Sequence, residues 1–298
     1  MNISNRKNIN IEESKITVIG FGRSGEGAAL LGHYLGANMF ISDGGSTDTM
    51  VESGKKLEAF GIQIETGGHT EKIYNTDLWV VSPGIAQDAE IVLNAKAKSI
   101  PIVSEIEFAS WFTDAPIISL TGSNGKTTSV HLLNKMCQTE SLSPALSGNV
   151  GTAFSEIVLA DLKDKPVNRI HVLEISSFQM EHIVHFKPLI SVFLNITPDH
   201  LDRYANMDDY IQAKLSMIKN QNGTDHIIYN FDDPILKTKF DGALPQTHGF
   251  SILGNGETVF TMNATKIYDE KHATLIQLDQ LALPGQHNLA NALAAATA

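Results

Sequence analysis

Two glycine-rich loops, each set between a short apolar run and a stretch with helical periodicity, constrain this chain more than any other feature. A glycine turn that leaves a strand and opens a helix is the unit from which parallel α/β sheets are built. KITVI (Lys15–Ile19) precedes the first loop, GFGRSG, and a helical pattern around Gly27–Leu35 follows it. Further strands are predicted at Asn38–Ser42, Gly61–Ile64 and Leu78–Val81, with a helix near Val51–Phe60. IISL (Ile117–Leu120) precedes the second loop, TGSNGKTT, and Thr127–Cys137 reads as its helix. Strands at His171–Ile175, Leu189–Leu194 and His226–Tyr229 and a helix over Asp208–Lys219 continue that series. The alternation predicts two successive α/β domains, 1–115 and 116–298, meeting where FASWFTDA runs into Pro116.

A length of 298 residues fits about two domains of ordinary size. The 42% hydrophobic content supplies two cores, and a net charge of −11 disfavours nucleic acid and anionic membranes as partners. No apolar run reaches the roughly 18 residues of a membrane span, and the polar start MNISNRKNINIEE lacks the apolar core of a signal peptide. The single cysteine, Cys137, allows no internal disulfide, which suits a reducing cytoplasm. Its place in the periodic stretch SVHLLNKMC marks it as a buried structural thiol rather than a nucleophile. The histidines show no zinc-site spacing.

The first loop places Gly20, Gly22 and Gly25 as GxGxxG between strand and helix. Glycines allow the backbone close to a diphosphate, and the helix N-terminus offers N–H groups and a positive dipole end. Asp43 closes the next strand, where a ribose-binding acid is expected. The pattern specifies the diphosphate of a nucleotide, so a nicotinamide or flavin oxidoreductase and a UDP-sugar binder both satisfy it. The second loop, Gly122, Ser123, Asn124, Gly125, Lys126, Thr127 and Thr128, has Walker A chemistry although Leu120 stands at the first glycine position. Its backbone can cradle phosphates, Lys126 can reach the β/γ-phosphates and the Thr127 hydroxyl can ligate magnesium. It predicts a nucleoside triphosphate and Mg2+, which hydride transfer has no use for.

Oxygen and nitrogen ligands gather downstream. Glu174 ends the buried strand HVLEI, where a magnesium-holding acid belongs. Asp199, His200 and Asp202 crowd the loop after LISVFL, and His200 is the strongest candidate ligand of the three. Lys214, in YIQAKLSMI, reads from pattern alone as a solvated helix residue.

GFGRSG, VSPGIA, TGSNGKTT, SGNVG, LEISSFQ, NITPDHLDRY, QAK and PGQHNLANA occur in an order that resembles the Mur ligase family over nearly the whole chain. The resemblance implies a Rossmann-like domain that binds UDP rather than NAD, followed by a P-loop-type α/β domain that binds ATP. By it Gly22, Arg23, Ser24 and Asp43 hold the uridine diphosphate, and Ser82, Pro83, Gly84, Asn149 and Ser176 lie along the UDP-linked substrate. Asn288 and Asn291 join the second loop in holding ATP. Thr127, Glu174 and His200 become magnesium ligands, and Lys214 becomes a carbamate that bridges magnesium, against its pattern reading. The acid followed by SSFQ points to the member that adds D-glutamate to UDP-N-acetylmuramoyl-L-alanine through an acyl phosphate. That implies a cytoplasmic, monomeric enzyme of peptidoglycan synthesis with Lys126, His200 and Lys214 in its catalytic machinery. A sibling ligase using another amino acid, a folate-glutamating relative and a non-enzymatic nucleotide-binding module are the alternatives. The family's third domain has no counterpart before the chain stops in the helical LANALAAATA, so an inactive two-domain piece that still binds UDP ligands is expected.

Overall fold

The computed structural model describes residues 1, 3–199, 203–240, 246–254, 258, 260–262, 266–269, 274–277 and 285–298. Along the chain run β1 (Lys15–Ile19), α1 (Arg23–Tyr34), β2 (Asn38–Asp43), α2 (Asp48–Glu58), β3 (Gln63–Thr66), β4 (Leu78–Val81), α3 (Glu90–Ala97), β5 (Ile102–Ser104) and α4 (Glu105–Ser110). They are followed by β6 (Ile117–Thr121), α5 (Lys126–Cys137), β7 (Ser143–Gly148), α6 (Phe154–Asp164), β8 (Arg169–Glu174), β9 (Ile190–Phe193) and α7 (Met207–Leu215). Last come β10 (His226–Asn230), α8 (Pro234–Phe240), β11 (Gln246–Phe250), β12 (Phe260–Met262), β13 (Lys266–Asp269), β14 (Thr274–Gln277) and α9 (Gln286–Thr297).

These elements form two compact units. The first comprises Met1–Asp114, Gly151–Lys165 and Phe178–Phe186; the second comprises Ala115–Val150, Pro166–Ser177 and Lys187–Ala298. Both are built on parallel sheets, as the alternation of apolar runs and helical stretches predicts.

In the first unit the strands lie in the order β3-β2-β1-β4-β5, all parallel. β1 and β4 hold the middle and are buried on both faces, which is why they read as unbroken apolar runs. The order reverses between β1 and β4, and the crevice at their carboxyl ends is where such sheets take ligands. α6 packs on α1 and α4 although it comes from far along the chain.

α4 explains why later segments return to this unit. Its first turn buries two carboxylates, Glu105 and Glu107, and buried charge must be met by donors. Glu105 accepts the Ser155 N–H at the start of α6 at 2.6 Å. Glu107 accepts Trp111 Nε1 at 2.6 Å and the backbone N–H groups of Val184, His185 and Phe186 at 3.0, 2.7 and 2.7 Å. Burial raises the Glu105 carboxyl to about 7, and the charge of Glu156 pushes the same way while the bonds from Ser155 oppose it.

In the second unit the parallel strands run β11-β10-β9-β6-β8-β7. Ile118, Leu120, Val130, Val172, Val192 and Leu293 lie in its core, and α9 packs on α5. β12-β13-β14 form a separate antiparallel sheet. Cys137 closes α5 half-buried against the core, and burial raises its thiol, as suits a structural role.

Helix starts differ in a way that bears on the site. α2, α4 and α7 are capped by the side chains of Thr47, Ser104 and Asn206. α1 and α5, which leave the two glycine loops, have Gly22 and Gly125 at the cap and no side-chain cap bond. Among the described residues, no helix is long and apolar enough to cross a membrane.

Candidate functional site

In the first unit the expected residues meet at the carboxyl ends of β1, β2 and β4. Gly20 takes φ +101°, and a Cβ there would stand 2.7 Å from the Ser82 Cβ, so the backbone passes where only glycine fits. Ser82 Oγ donates to the Gly20 carbonyl at 3.1 Å, tying the VSPGIA loop that carries Pro83 and Gly84 to the glycine loop. Asp43 accepts the Phe21 N–H at 2.6 Å and the Gly45 N–H at 2.7 Å. Arg23 opens α1 and donates through Nη1 to the carbonyl of Gly151, while Ser24 stands half-buried beside it. A cavity of about 560 Å³ in this unit is lined by Lys15, Asn38, Gln63 and Lys72. It sits at the amino ends of the strands, away from the glycine loop.

The second loop turns tightly from β6 into α5. Gly125 has φ +83°, and a Cβ there would lie 2.4 Å from Asn291 Oδ1. Lys126 Nζ donates to the carbonyls of Gly122 and Ser123 at 2.8 and 2.9 Å. Its pKa is lowered by burial, against the pull of Glu174 and Asp199. Thr127 Oγ1 donates to Glu174 Oε2 at 2.8 Å, and Asn149 Nδ2 donates to Glu174 Oε1 at 2.7 Å. Asn149 and Ser176, expected along the UDP-linked substrate, both belong to the second unit. Thr128 lies half-buried in the first turn of α5. His200 and Asp202 lie outside the described residues.

Lys214 corrects its pattern reading. It is 2% exposed, on the face of α7 that also buries Tyr210 four residues earlier. Its Nζ sits 4.8 Å from the centre of the Tyr210 ring and donates to the Gly122 carbonyl at 3.1 Å. Burial lowers its pKa to about 7; the charge of Lys126 adds to the effect and Asp199 opposes it. Pattern assigns lysine to solvent, but an aromatic face, a loop carbonyl and a nearby acid offset the cost of burial here.

Other contributors were missed in the sequence. Asn195 clasps the loop, accepting the Asn124 N–H at 2.8 Å and donating to the Asn124 carbonyl at 3.0 Å. Ser123 Oγ donates to the Thr197 carbonyl and accepts its N–H, both at 2.9 Å, and lies 3.0 Å from the Tyr210 hydroxyl. Asp233 accepts the Ile196 N–H at 2.8 Å. Asn195 and Thr197 stand in the NITPDH motif, where attention falls on the titratable residues instead. A cavity of about 320 Å³ opens beside the loop between Asn124, Gly125, Asn195, Phe250 and Asn291. Asn291 Nδ2 donates to Asn288 Oδ1 at 3.4 Å within α9.

Fold and site thus define an α/β protein with a glycine loop at the carboxyl edge of each parallel sheet, one of dinucleotide type and one of triphosphate type. Residues 120–298 match the Mur ligase middle domain and residues 15–91 match the MurD N-terminal domain. The chain belongs to the Mur ligase family. It is 40% identical over 286 residues to the UDP-N-acetylmuramoylalanine–D-glutamate ligase of Bacteroides fragilis, covering 94% of this chain and 63% of that protein. It is 37% identical over 295 residues to the ligase of the same description from Christiangramia forsetii, with the same coverage of both chains. The chain therefore spans less than two thirds of these relatives' length. Among solved structures, UDP-N-acetylmuramate:L-alanyl-gamma-D-glutamyl-meso-diaminopimelate ligase from Neisseria meningitides shares the fold, with a TM-score of 0.64 at 18% identity over 95% of this chain and 91% of that one.

Proposed function

We propose that this chain carries the UDP-substrate site and the ATP site of a cytoplasmic, monomeric ligase that joins D-glutamate to UDP-N-acetylmuramoyl-L-alanine. The observation that carries the reading is the gathering of Lys126, Thr127, Glu174 and Lys214 around one phosphate-type loop. The 40% and 37% identities to ligases of that description support the choice of substrates.

The residues fit ATP and magnesium. The uncapped N-terminus of α5 leaves backbone N–H groups for phosphate oxygens, with the Lys126 ammonium beside them. The cavity by Asn291 suits the nucleobase end. Thr127 and Glu174 offer the hard oxygen donors that magnesium prefers. Magnesium, when bound, supplies charge neutralisation for the phosphoryl group in transfer. Lys214 is half neutral near pH 7, the state in which an amine can take up carbon dioxide to become a carbamate. In the first unit, Gly22, Arg23 and Asp43 would receive the uridine diphosphate.

In the reaction so read, an oxygen of the alanyl carboxylate bonds to the γ-phosphorus and ADP leaves, giving an acyl phosphate. The D-glutamate nitrogen then bonds to the acyl carbon, phosphate leaves, and the nitrogen gives up a proton to solvent. Lys126 lowers the repulsion between the anionic groups being brought together, and the Asn195 clasp keeps the loop in the shape that aims it.

Calorimetric titration with Mg-ATP tests the reading. The chain is expected to bind it, with Lys126→Ala weakening binding roughly tenfold or more, as for a lost charge-assisted hydrogen bond. Equal affinity in the two proteins would remove Lys126 from the phosphate site.

A further inference from the structure

The two faces of the first sheet are covered unequally. Gly32 of α1 lies against Met39 and Gly54 of α2 against Ile64, so both helices sit on one face. Side chains alternate along a strand, and Thr17, Phe40 and Gln63, in register across β1, β2 and β3, point to the other. On that side the connection from β3 to β4 crosses β2 and β1 with one 3-10 turn, Glu71–Tyr74. The turn is pinned over β4: Ile73 is buried, its carbonyl accepts Trp79 Nε1 at 2.7 Å, and the Tyr74 ring stacks on Trp79 with centres 5.6 Å apart. So short a turn leaves the start of β1, β2 and β3 open beside it, and the cavity of about 560 Å³ lies there.

Its floor is mixed and its rim is basic. Phe40 offers a half-buried ring, and Thr17, 2% exposed, has no hydrogen-bond partner for its hydroxyl among the described residues. Residues three apart on a 3-10 turn eclipse each other, so Lys72 stands over Asn75. Lys15, two residues before Thr17 and on the same face, donates through Nζ to Asn75 Oδ1 at 3.2 Å. The turn thus gathers two ammonium groups at one rim. Lys72 makes no ion pair among the described residues, and among those lining the cavity none is acidic. Asp77, a carboxylate at this strand end, accepts the Lys15 N–H at 2.8 Å and stands outside the lining. In a chain of net charge −11 this is a local concentration of positive charge.

We infer that this cavity is a second ligand site, one that takes a small phosphate monoester with a flat apolar body. Two ammonium groups match a phosphate monoester, which is nearly dianionic at neutral pH. The Thr17 hydroxyl donates to a phosphate oxygen between them, and the apolar body lies on the Phe40 ring. The volume is that of a small-molecule site and exceeds what a bare phosphate fills. Lys15 begins β1 and Gly20 follows its last residue, so the cavity and the first glycine loop stand at opposite ends of the strand, roughly 15 Å apart. Neither glycine loop contributes to it.

The test is calorimetric titration of the 298-residue chain with phenyl phosphate, in the presence of excess UDP and Mg-ATP so that the glycine loops are not what is measured. One equivalent is expected to bind, with inorganic phosphate, which lacks the ring, and benzoate, which carries one charge, each weaker by roughly fivefold or more. Lys72→Gln changes an exposed side chain, spares the fold and should weaken phenyl phosphate about threefold to fivefold. Thr17→Val removes the hydroxyl at nearly constant shape and should weaken it about fivefold. No binding, or binding that UDP or Mg-ATP abolishes, would overturn the inference. Unchanged affinity in Lys72→Gln would overturn it too, since the phosphate would then lie elsewhere. Inorganic phosphate or benzoate binding as tightly as phenyl phosphate would overturn the ligand class. Should Thr17→Val fail to fold, Lys72→Gln alone decides.

Discussion

Replacing Glu105 by glutamine should stabilise the first unit, and the gain should grow with pH. Glu105 is 2% exposed and its carboxyl is raised from 4.5 to about 7, chiefly by burial. The native state therefore holds a proton that the unfolded chain gives up between pH 4.5 and 7, and stability falls as pH rises through that window. Integrated across the window, the penalty reaches on the order of 3 kcal/mol above pH 7, of which about 2 kcal/mol develops between pH 5.5 and 8. Glutamine keeps an oxygen for the Ser155 N–H and cannot ionise. The assay is urea unfolding followed by tryptophan fluorescence. Both tryptophans, Trp79 and Trp111, are buried in the first unit, so the signal reports on the unit that holds Glu105. The stability difference between Glu105→Gln and the unaltered chain should widen by about 2 kcal/mol from pH 5.5 to pH 8. A difference that stays flat with pH would mean that Glu105 titrates as an ordinary carboxyl and that the α4 to α6 contact is not a buried charge.

Lys214 should show the opposite slope. Its pKa is lowered from 10.5 to about 7, so the unfolded chain binds the extra proton and stability climbs from pH 7 to 10; Lys214→Met should remove that climb in chemical denaturation, and an unchanged profile would place the ammonium in solvent. Gly125→Ala should destabilise the second unit by about 1–3 kcal/mol from the left-handed backbone alone, with more from the approach to Asn291, read as a lower melting temperature by circular dichroism. Wild-type melting would contradict the Gly125 geometry. Thr127→Val should leave the fold intact and weaken Mg-ATP more than metal-free ATP; an equal effect on both would take Thr127 out of the metal site.

The middle strands of both sheets could be read directly because burial on both faces makes them continuous apolar runs, as in KITVI, LWVV and IISL. Of the strands that went unread, β5, β7 and β11 are edges of the parallel sheets, and β12, β13 and β14 form the separate antiparallel sheet. β5 is only Ile102–Ser104, and β7 is SPALSG, with Pro144 in an edge strand where no inward N–H is needed. The return of α6 and of Phe178–Phe186 to the first unit was invisible for another reason. It depends on the buried Glu105 and Glu107 meeting backbone donors far along the chain, and nothing in local periodicity records such a pairing. The phosphate-type loop announced its chemistry because lysine, threonine and glycine at those spacings have few structural uses. Lys214 did not, because a lysine in a helix looks the same whether it faces water or, as here, the Tyr210 ring and the Gly122 carbonyl.

The central claim is that the first glycine loop serves a UDP-linked substrate and the second serves ATP. Titrating the chain with UDP-N-acetylmuramoyl-L-alanine, with NAD in parallel, tests it most directly. Binding of the UDP compound and none of NAD is the predicted result. Binding of NAD with no response to the UDP compound would contradict it and return the first unit to the dinucleotide oxidoreductases.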